Sequence, residues 1–537
     1  MIKPNWKVNL YAQGLTNRDI INTTLYNRGV EDIEDFLNPP PSYILPSSLF
    51  KNIEKASKLF INGINNKRTF IIHADVDTDG CTSGALIFRY LSAFDIEPIT
   101  YINEGKKHGI QEDFQLPVND GILIIVDSIN NDPQDYLKLL DQGIDIIVLD
   151  HHIPKPEILA IQEKINLVSS ANDYPNPYLS GSGVCWKFLT YVDNLLNTNI
   201  AYNMVDLAAI GIIADVCRVD SQSMENRAIC NMAFNNVHTP AIPLLCDELN
   251  SNSISFSIAN YVNAANRIND NRTALNLFIS DNKGQLHQII RKLDEDHEYQ
   301  KQMVDRLYEN LKEEADLQKD YKVMFFFGDH YDNFSGLLAT KVVADYGKPC
   351  FVLRTNDDDM YRGSMRCNLD IDFRAIINEF DGAECNGHER SAGVIIDKTK
   401  IDEFVNFIDN KLEGIIFDDR TEIDFSINQS QVTPFLLHNI NNINRITGSE
   451  FRPIKVLIED VDNLNVSYMK NGKHLAMTSP LMKFIYWNYN DTVVLKDNDK
   501  LSAIGTLSEN TFRGTTTLQM IMKDFLIYEP KVYDLPF

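Results

Sequence analysis

Apolar and polar positions follow two rhythms along the chain. Between residues 69 and 150, short unbroken apolar runs (Thr69–Asp75, Glu97–Ile102, Gly121–Asp127 and Ile144–Asp150) alternate with helically spaced segments at Cys81–Phe94 and Pro133–Gln142. Continuous apolar strands separated by helices predict an α/β fold with a doubly wound parallel sheet, buried on both faces. Residues 1–68 read as a helical lead-in with a Pro-rich break at NRGVEDIEDFLNPPP, and Asn52–Asn65 is spaced to pack on the sheet. Asp281–Lys319 mixes Glu, Lys, Gln and Leu at helical spacing and predicts one long connecting helix with a solvated face. Strand signals return at KVMFFFGDH and PCFVL around a helix at Leu337–Tyr346. The alternation at Thr421–Asn428 and over 451–530, with Gly turns, is that of a small β-barrel. The expected division is a lead-in (1–68), a doubly wound domain (69–255), a connecting helical segment (256–319), a second α/β domain (320–418) and a barrel (419–537).

At 537 residues the chain has room for two to four domains, and 44% apolar with 23% charged residues is ordinary globular composition. No apolar run reaches the length of a membrane span, and the start lacks a secretory apolar core. Eight scattered cysteines without a C-x-x-C pair read as reduced packing thiols of a cytoplasmic protein. The net charge of −25 counts against a nonspecific DNA coat, which binds by a basic surface. It does not exclude a metal-dependent enzyme, because bound cations offset the acids that gather them. Walker A, H-E-x-x-H, G-x-S-x-G and EF-hand spellings are absent.

The candidate chemistry lies where the apolar runs stop. The first breaks into His73, Asp75, Asp77 and Asp79; the others end at Asp127 and at Asp150-His151-His152; and LAAIGIIADV halts at Asp215. Acids at i, i+2 and i+4 converge on one side while a strand lasts. Crowded carboxylates repel one another unless protons or cations compensate them, and divalent metals suit Asp oxygens and His nitrogens. A single strand-terminal Asp is commonplace as a helix cap; three such strands with a His pair are not. Ligands of open parallel sheets bind beyond the carboxyl ends of the strands near a topological switch point, which would bring these residues to one rim.

The set Asp75-x-Asp77-x-Asp79-Gly80, Asp127, Asp150-His151-His152 and Ala214-Asp215-Val216 resembles the DHH phosphoesterase superfamily, in the RecJ single-strand exonuclease branch. Asn27-Arg28-Gly29, Gly181-Ser182-Gly183-Val184, Glu225-Asn226-Arg227 and Asn263–Arg267 are similar to further RecJ motifs in the right order. Phe334–Ala339, Gly363–Arg366 and Asn386–Gly393 resemble motifs of the associated DHHA1-type domain. Gly505-Thr506-Leu507, Asn510, Phe512, Gly514 and Leu518-Gln519 resemble the closing strands of an OB-fold. Two spellings depart from the family: Asn386-Gly387-His388 where GGH is usual, and Asn266 where NAAGR has glycine.

The resemblance implies a metal-dependent 5′→3′ exonuclease releasing mononucleotides from single-stranded DNA in recombination, repair or replication. One cation would be held by Asp77, Asp127 and either His73 or Asp75, the other by Asp79, Asp127, His151 and Asp215. Mixed carboxylate and imidazole donors favour Mn2+, with Mg2+ second. Asp150 reads as an acceptor orienting His151, and His152 as a phosphate contact, a proton donor or a plain hydrogen bonder. His108, beside Lys106 and Lys107, together with Arg366, Asn386, Gly387 and His388, are candidates for gripping phosphate, and Arg227 and Arg267 either bind phosphate or are buried salt-bridge partners; a tight turn into a helix is the bland alternative for Asn386–Gly393. Tyr468, Phe484, Tyr486, Trp487 and Phe512 either stack bases or fill the barrel. The expected partner is single-stranded DNA, with a single-strand-binding protein or helicase as an option, and the chain is expected to be a bacterial or phage-encoded monomer. Two alternatives stand beside this: a DHH phosphodiesterase of oligoribonucleotides or cyclic dinucleotides, and a catalytically silent scaffold.

Overall fold

The structure, a computed structural model, describes residues 5–528 except 105–107, 112–113, 115, 117, 119, 131, 330, 356–358, 370, 416–419, 471, 490–494, 498 and 513–514. Lys106, Lys107, Asn356–Asp358 and Gly514 therefore lie outside the described residues, as does the side chain of Phe512. No described helix is long and apolar enough to cross a membrane.

The five strands β1 (Phe70–Ala74), β2 (Ile99–Ile102), β3 (Gly121–Val126), β4 (Ile144–Asp150) and β5 (Leu167–Ser169) form one parallel sheet in the order β2-β1-β3-β4-β5. Every residue of β1 and β3 is buried, as the unbroken apolar runs require of strands covered on both faces. One face packs against α1 (Thr78–Ser92) and α2 (Gly181–Leu196), and α3 (Val205–Ala214) packs on those two helices. The other face packs against Tyr136 and Leu139 of the helix Pro133–Asp141. The sheet reverses direction of winding between β1 and β3, so the crevice opens where Asp75 and Asp127 leave these two strands.

Asp215 follows a helix, not a strand. In α3, Val205 through Ile213 are all buried, and a helix enclosed on every side reads as an unbroken apolar run.

The long helix α4 (Lys283–Gln318) leads to a second sheet built from Met324–Phe327, Cys350–Thr355, Met360–Arg366, Ala383–His388 and Ser391–Asp397. Asn386–His388 and Ser391–Gly393 are the two sides of a β-hairpin, so the expectation of a turn into a helix is corrected. Beyond it, seven strands from Phe425–Asn428 to Thr515–Ile527 pair in one sheet whose end strands are Phe425–Asn428 and Asn465–Met469.

The lead-in is helical as expected, but it also holds a strand the apolar pattern does not announce. Trp6–Val8 pairs in parallel with Thr421–Ile423, and three residues carry no readable period until a distant partner supplies their hydrogen bonds. Arg28 adds a two-pronged ion pair to Asp424, both bonds 2.8 Å. Lead-in, first domain and C-terminal domain share one continuous apolar core, whereas the second domain packs its sheet faces into cores of its own.

Candidate metal centre

The acids of the first motif do not converge along a strand, because β1 ends at Ala74. Asp77 caps α1, its Oδ1 accepting the Gly80 N–H at 2.9 Å, and Asp79 lies in the first helical turn. The three carboxylates consequently divide between two groups. Asp75, Asp77 and Asp127 offer carboxylate oxygens within 4.8 Å of one another, and Asp79, His151 and Asp215 likewise offer two carboxylate oxygens and a ring nitrogen. The groups adjoin at His151, whose Nε2 lies 3.2 Å from Asp127 Oδ1 and 3.9 Å from Asp215 Oδ2.

Asp79 is seated by backbone. Its Oδ2 accepts the Gly181 N–H at 2.7 Å and its Oδ1 the Ser182 N–H at 3.0 Å, so the N-terminus of α2 points at a carboxylate. A Cβ at Gly211 would lie 2.0 Å from Asp79 Oδ1 and from Ser182 Oγ. The glycine-rich helix start and the glycine of LAAIGIIADV are thus the parts of the site whose role the sequence did not reveal. Their signal was present as glycines inside helical runs, where glycine is otherwise unfavourable.

Asp150 sits behind the rim at full burial. Its Oδ2 accepts the Ile129 N–H at 2.7 Å, and its Oδ1 accepts both the His152 N–H at 2.7 Å and the His152 ring at Nδ1, 2.8 Å. Asp150 orients His152, not His151 as expected, because the backbone turns directly after β4 and brings the second histidine back over its own strand end. His151 instead has Asp127, Asp215 and Asp79 as acidic neighbours.

His73 belongs to neither group. Its ring is buried in β1 beside Asp75, edge-on to Phe114 at 5.4 Å, and neither nitrogen makes a hydrogen bond of good geometry. Burial pushes its pKa down to about 4, against the pull of Asp75. Of the two residues the sequence left open for the first group, Asp75 is the one brought to it. Asp75 also meets His108, whose Nδ1 stands 3.1 Å from its Oδ2.

Burial followed by mutual repulsion raises these acids: Asp77 goes up to about 8, and Asp127 is raised well above the carboxylate range. Asp79 also rises through burial, with His151 opposing. Burial works against the Asp150 anion too, yet its bonds to His152 prevail and lower it, while the same pair raises His152 to about 9. Asp75 Oδ1 and Asp127 Oδ1 are buried with no hydrogen-bond partner. Unpartnered buried oxygens, raised acids and a facing imidazole are what a divalent cation satisfies, so the residues fit such ions.

Two backbones are left-handed here: Asp127 (φ 55°) and Val216 (φ 55°). Aspartate tolerates that conformation, but a β-branched residue pays about 1–2 kcal/mol for it. The Val216 turn closes α3 through Val216 N–H to Ile213 O (3.1 Å) and Cys217 N–H to Ile212 O (3.0 Å), a position glycine normally takes.

The second domain reaches the centre through its hairpin: His388 Nε2 lies 3.9 Å from Asp215 Oδ1. Gly387 (φ 131°) is required there, since a Cβ would press on Ala392 Cα at 3.0 Å. Asn386 is exposed and its amide is tied to Glu384. Arg267 and Arg366 face one another: burial and then Arg366 lower Arg267 to about 10, and burial lowers Arg366. Arg267 donates to Gln300 (2.9 Å) and Asn263 O (2.9 Å), and Arg366 to Met365 O (2.8 Å). Ser335 and Ser364 hydroxyls meet at 2.9 Å beside the first turn of the helix Ser335–Tyr346. Arg227 does something else. It is fully buried, stacks 3.6 Å over Phe36 and donates to Phe36 O (2.6 Å), Val219 O and Ile446 O (both 3.1 Å), so of the two roles the sequence left open it fills the buried structural one, with carbonyls in place of a salt-bridge partner.

Three stretches match known families: residues 69–212 the DHH family N-terminal domain, 318–414 the DHHA1 domain and 423–524 the RecJ OB domain. The chain belongs to the DHH superfamily, in its RecJ-like branch. The SPbeta prophage protein YorK of Bacillus subtilis, named for a single-strand DNA-specific exonuclease, is 25% identical over 97% of this chain and 98% of its own length. The single-stranded-DNA-specific exonuclease RecJ of Escherichia coli is 22% identical over 92% of this chain and 94% of its own. The crystal structure of Thermus thermophilus RecJ in complex with Mn2+ has the same fold, with a TM-score of 0.74 at 19% identity, covering 98% of this RecJ-like chain and 81% of that one.

Proposed function

We propose that this chain is a metal-dependent exonuclease that hydrolyses phosphodiester bonds of single-stranded DNA from the 5′ end and releases mononucleotides. The observation that carries this reading is the pair of adjoining donor groups, Asp75/Asp77/Asp127 and Asp79/His151/Asp215, at the sheet's switch point. They would hold two divalent cations, Mn2+ in preference to Mg2+, and such a pair would supply an activated water and neutralise the non-bridging and leaving oxygens. Relatives named as single-strand DNA-specific exonucleases, a phage-borne one among them, support the substrate class and a bacterial or phage setting.

The chain's own residues then divide the work. Asp79 is preset by the amides of Gly181 and Ser182, so it needs no reorganisation when charge develops. His152, protonated and aligned by Asp150, keeps Nε2 for the substrate and can give a proton to the leaving oxygen. His108, beside Asp75, and His388, beside Asp215, would contact the phosphate. Arg267 and Arg366, charged and without an ion pair among the described residues, take the terminal phosphate with Ser335 and Ser364. The five-part division stated above, with the barrel holding the strand further along, and action as a monomer with single-strand-binding protein nearby, belong to this proposal.

A Mn2+ assay on 5′-labelled single strands, duplexes and dinucleotides tests it. Mononucleotides from single strands with duplexes spared is the expected result. Cleavage of dinucleotides alone, or no turnover, overturns it.

A further inference from the structure

Among the acids of the centre, Asp215 is held least directly. Asp79 is fixed by two amides, and Asp75 and Asp127 leave adjacent strands of one sheet. Asp215 sits on the strained turn after α3, and among the described residues its carboxylate meets Cys217 Sγ at 3.4 Å, His151 at 3.9 Å and His388 at 3.9 Å. A left-handed valine relaxes unless something outside the turn holds it. Two things do. The Arg227 guanidinium donates through one nitrogen, Nη1, to Val219 O and to Ile446 O, tying the segment after Asp215 to a loop of the C-terminal domain. Two residues along that loop, Gly448 presses so closely on Cys217 that a Cβ would lie 2.5 Å from its carbonyl oxygen and 3.0 Å from Val219 Cγ2. The loop is itself closed, by Gly448 N–H to Phe451 O at 3.0 Å, and Phe451 packs 4.8 Å from Phe36.

We propose that Gly448 and Arg227 are positioning residues for Asp215, so that the C-terminal domain, besides any contact with the strand, sets the affinity of the cation held by Asp79, His151 and Asp215. The inference rests on the two-cation reading above. It is selective: no described contact joins residues 446–448 to Asp75, Asp77 or Asp127. The obstacle at Gly448 is backbone, which cannot swing aside as a side-chain tip can, so any Cβ there displaces the Cys217 peptide and the turn with it.

Titration of the full metal-free chain with Mn2+, followed by the electron paramagnetic resonance of free ion, reads this without turnover. The wild type is expected to take up two ions. Folded Gly448→Ala is expected to bind one of them as the wild type does and the other about tenfold or more weakly. Adding Val216→Gly, which removes the strain of the turn, is expected to recover most of that loss. Wild-type affinity for both ions in folded Gly448→Ala overturns the proposal, whereas a wild type that takes up fewer than two ions overturns the two-cation reading instead. Should Gly448→Ala not fold, Arg227→Lys, which keeps a cation but loses the planar guanidinium whose Nε bond to Phe36 O sets Nη1 between Val219 O and Ile446 O, is titrated in its place with the same two outcomes.

Discussion

The first and C-terminal domains are welded and the second domain is hung. One apolar core runs from the lead-in through the parallel sheet to the C-terminal sheet, and Arg28, Arg227 and the Trp6–Val8 strand stitch its parts with buried or half-buried polar bonds. The second domain has separate cores on the two faces of its sheet, is reached through the single helix α4, and meets the metal centre through an exposed histidine. Metal ligands need positions fixed to fractions of an ångström, and a shared core supplies that rigidity. A substrate clamp must admit and release a strand, which a domain with its own cores can do without exposing apolar surface.

The largest effect that would break this comparison is at Asp127. Asp127→Ala is expected to lower kcat by at least about 10²–10³-fold, while the metal-free protein melts no lower than wild type, because a carboxyl whose ionisation burial and its acidic neighbours oppose has been removed. Near-normal kcat after chelation and Mn2+ restoration would take Asp127 out of the centre. Next in size, Arg366→Ala should raise KM for 5′-phosphorylated single strands by roughly 10–100-fold, the worth of a charge-assisted hydrogen bond, with Mn2+ binding unchanged. Weakened Mn2+ binding in that variant would mean the second domain is part of the rigid half.

The smallest effect sharpens the contrast in the metal-free state. Unfolded carboxylates release their protons near pH 4, whereas folded Asp77 keeps its proton to about 8 and Asp127 and Asp79 are shifted the same way. Between those values the folded state binds more protons than the unfolded one, so stability falls as pH rises. In chelator the melting temperature should decline from pH 5 to pH 8, and Mn2+ should restore more at the upper end. A melting temperature flat in pH would mean the acids are not crowded as described.

Much of the centre was legible beforehand. Asp75, Asp127 and Asp150 were readable because each ends an apolar run, and a buried parallel strand must end where charge begins. Asp215 was readable for the same reason although its run is a helix, since full enclosure erases the helical period. What stayed hidden were contacts between segments far apart in sequence: Asp79 on the amides of α2, Arg227 among carbonyls of three elements, Gly448 against Cys217. Asp150 was assigned to the wrong histidine because adjacent residues differ only in which way a turn throws them.

By itself, then, the sequence determined that strands would alternate with helices, where they would stop, and that acids and imidazoles would crowd the stops, because burial dictates apolar runs and desolvation confines charge to their ends. Only the tertiary structure decided how those groups divide into two sets, that Asp75 and not His73 joins the first, and that the C-terminal domain backs the turn bearing Asp215. Those outcomes depend on backbone direction and close approach, which no local pattern of residue types encodes.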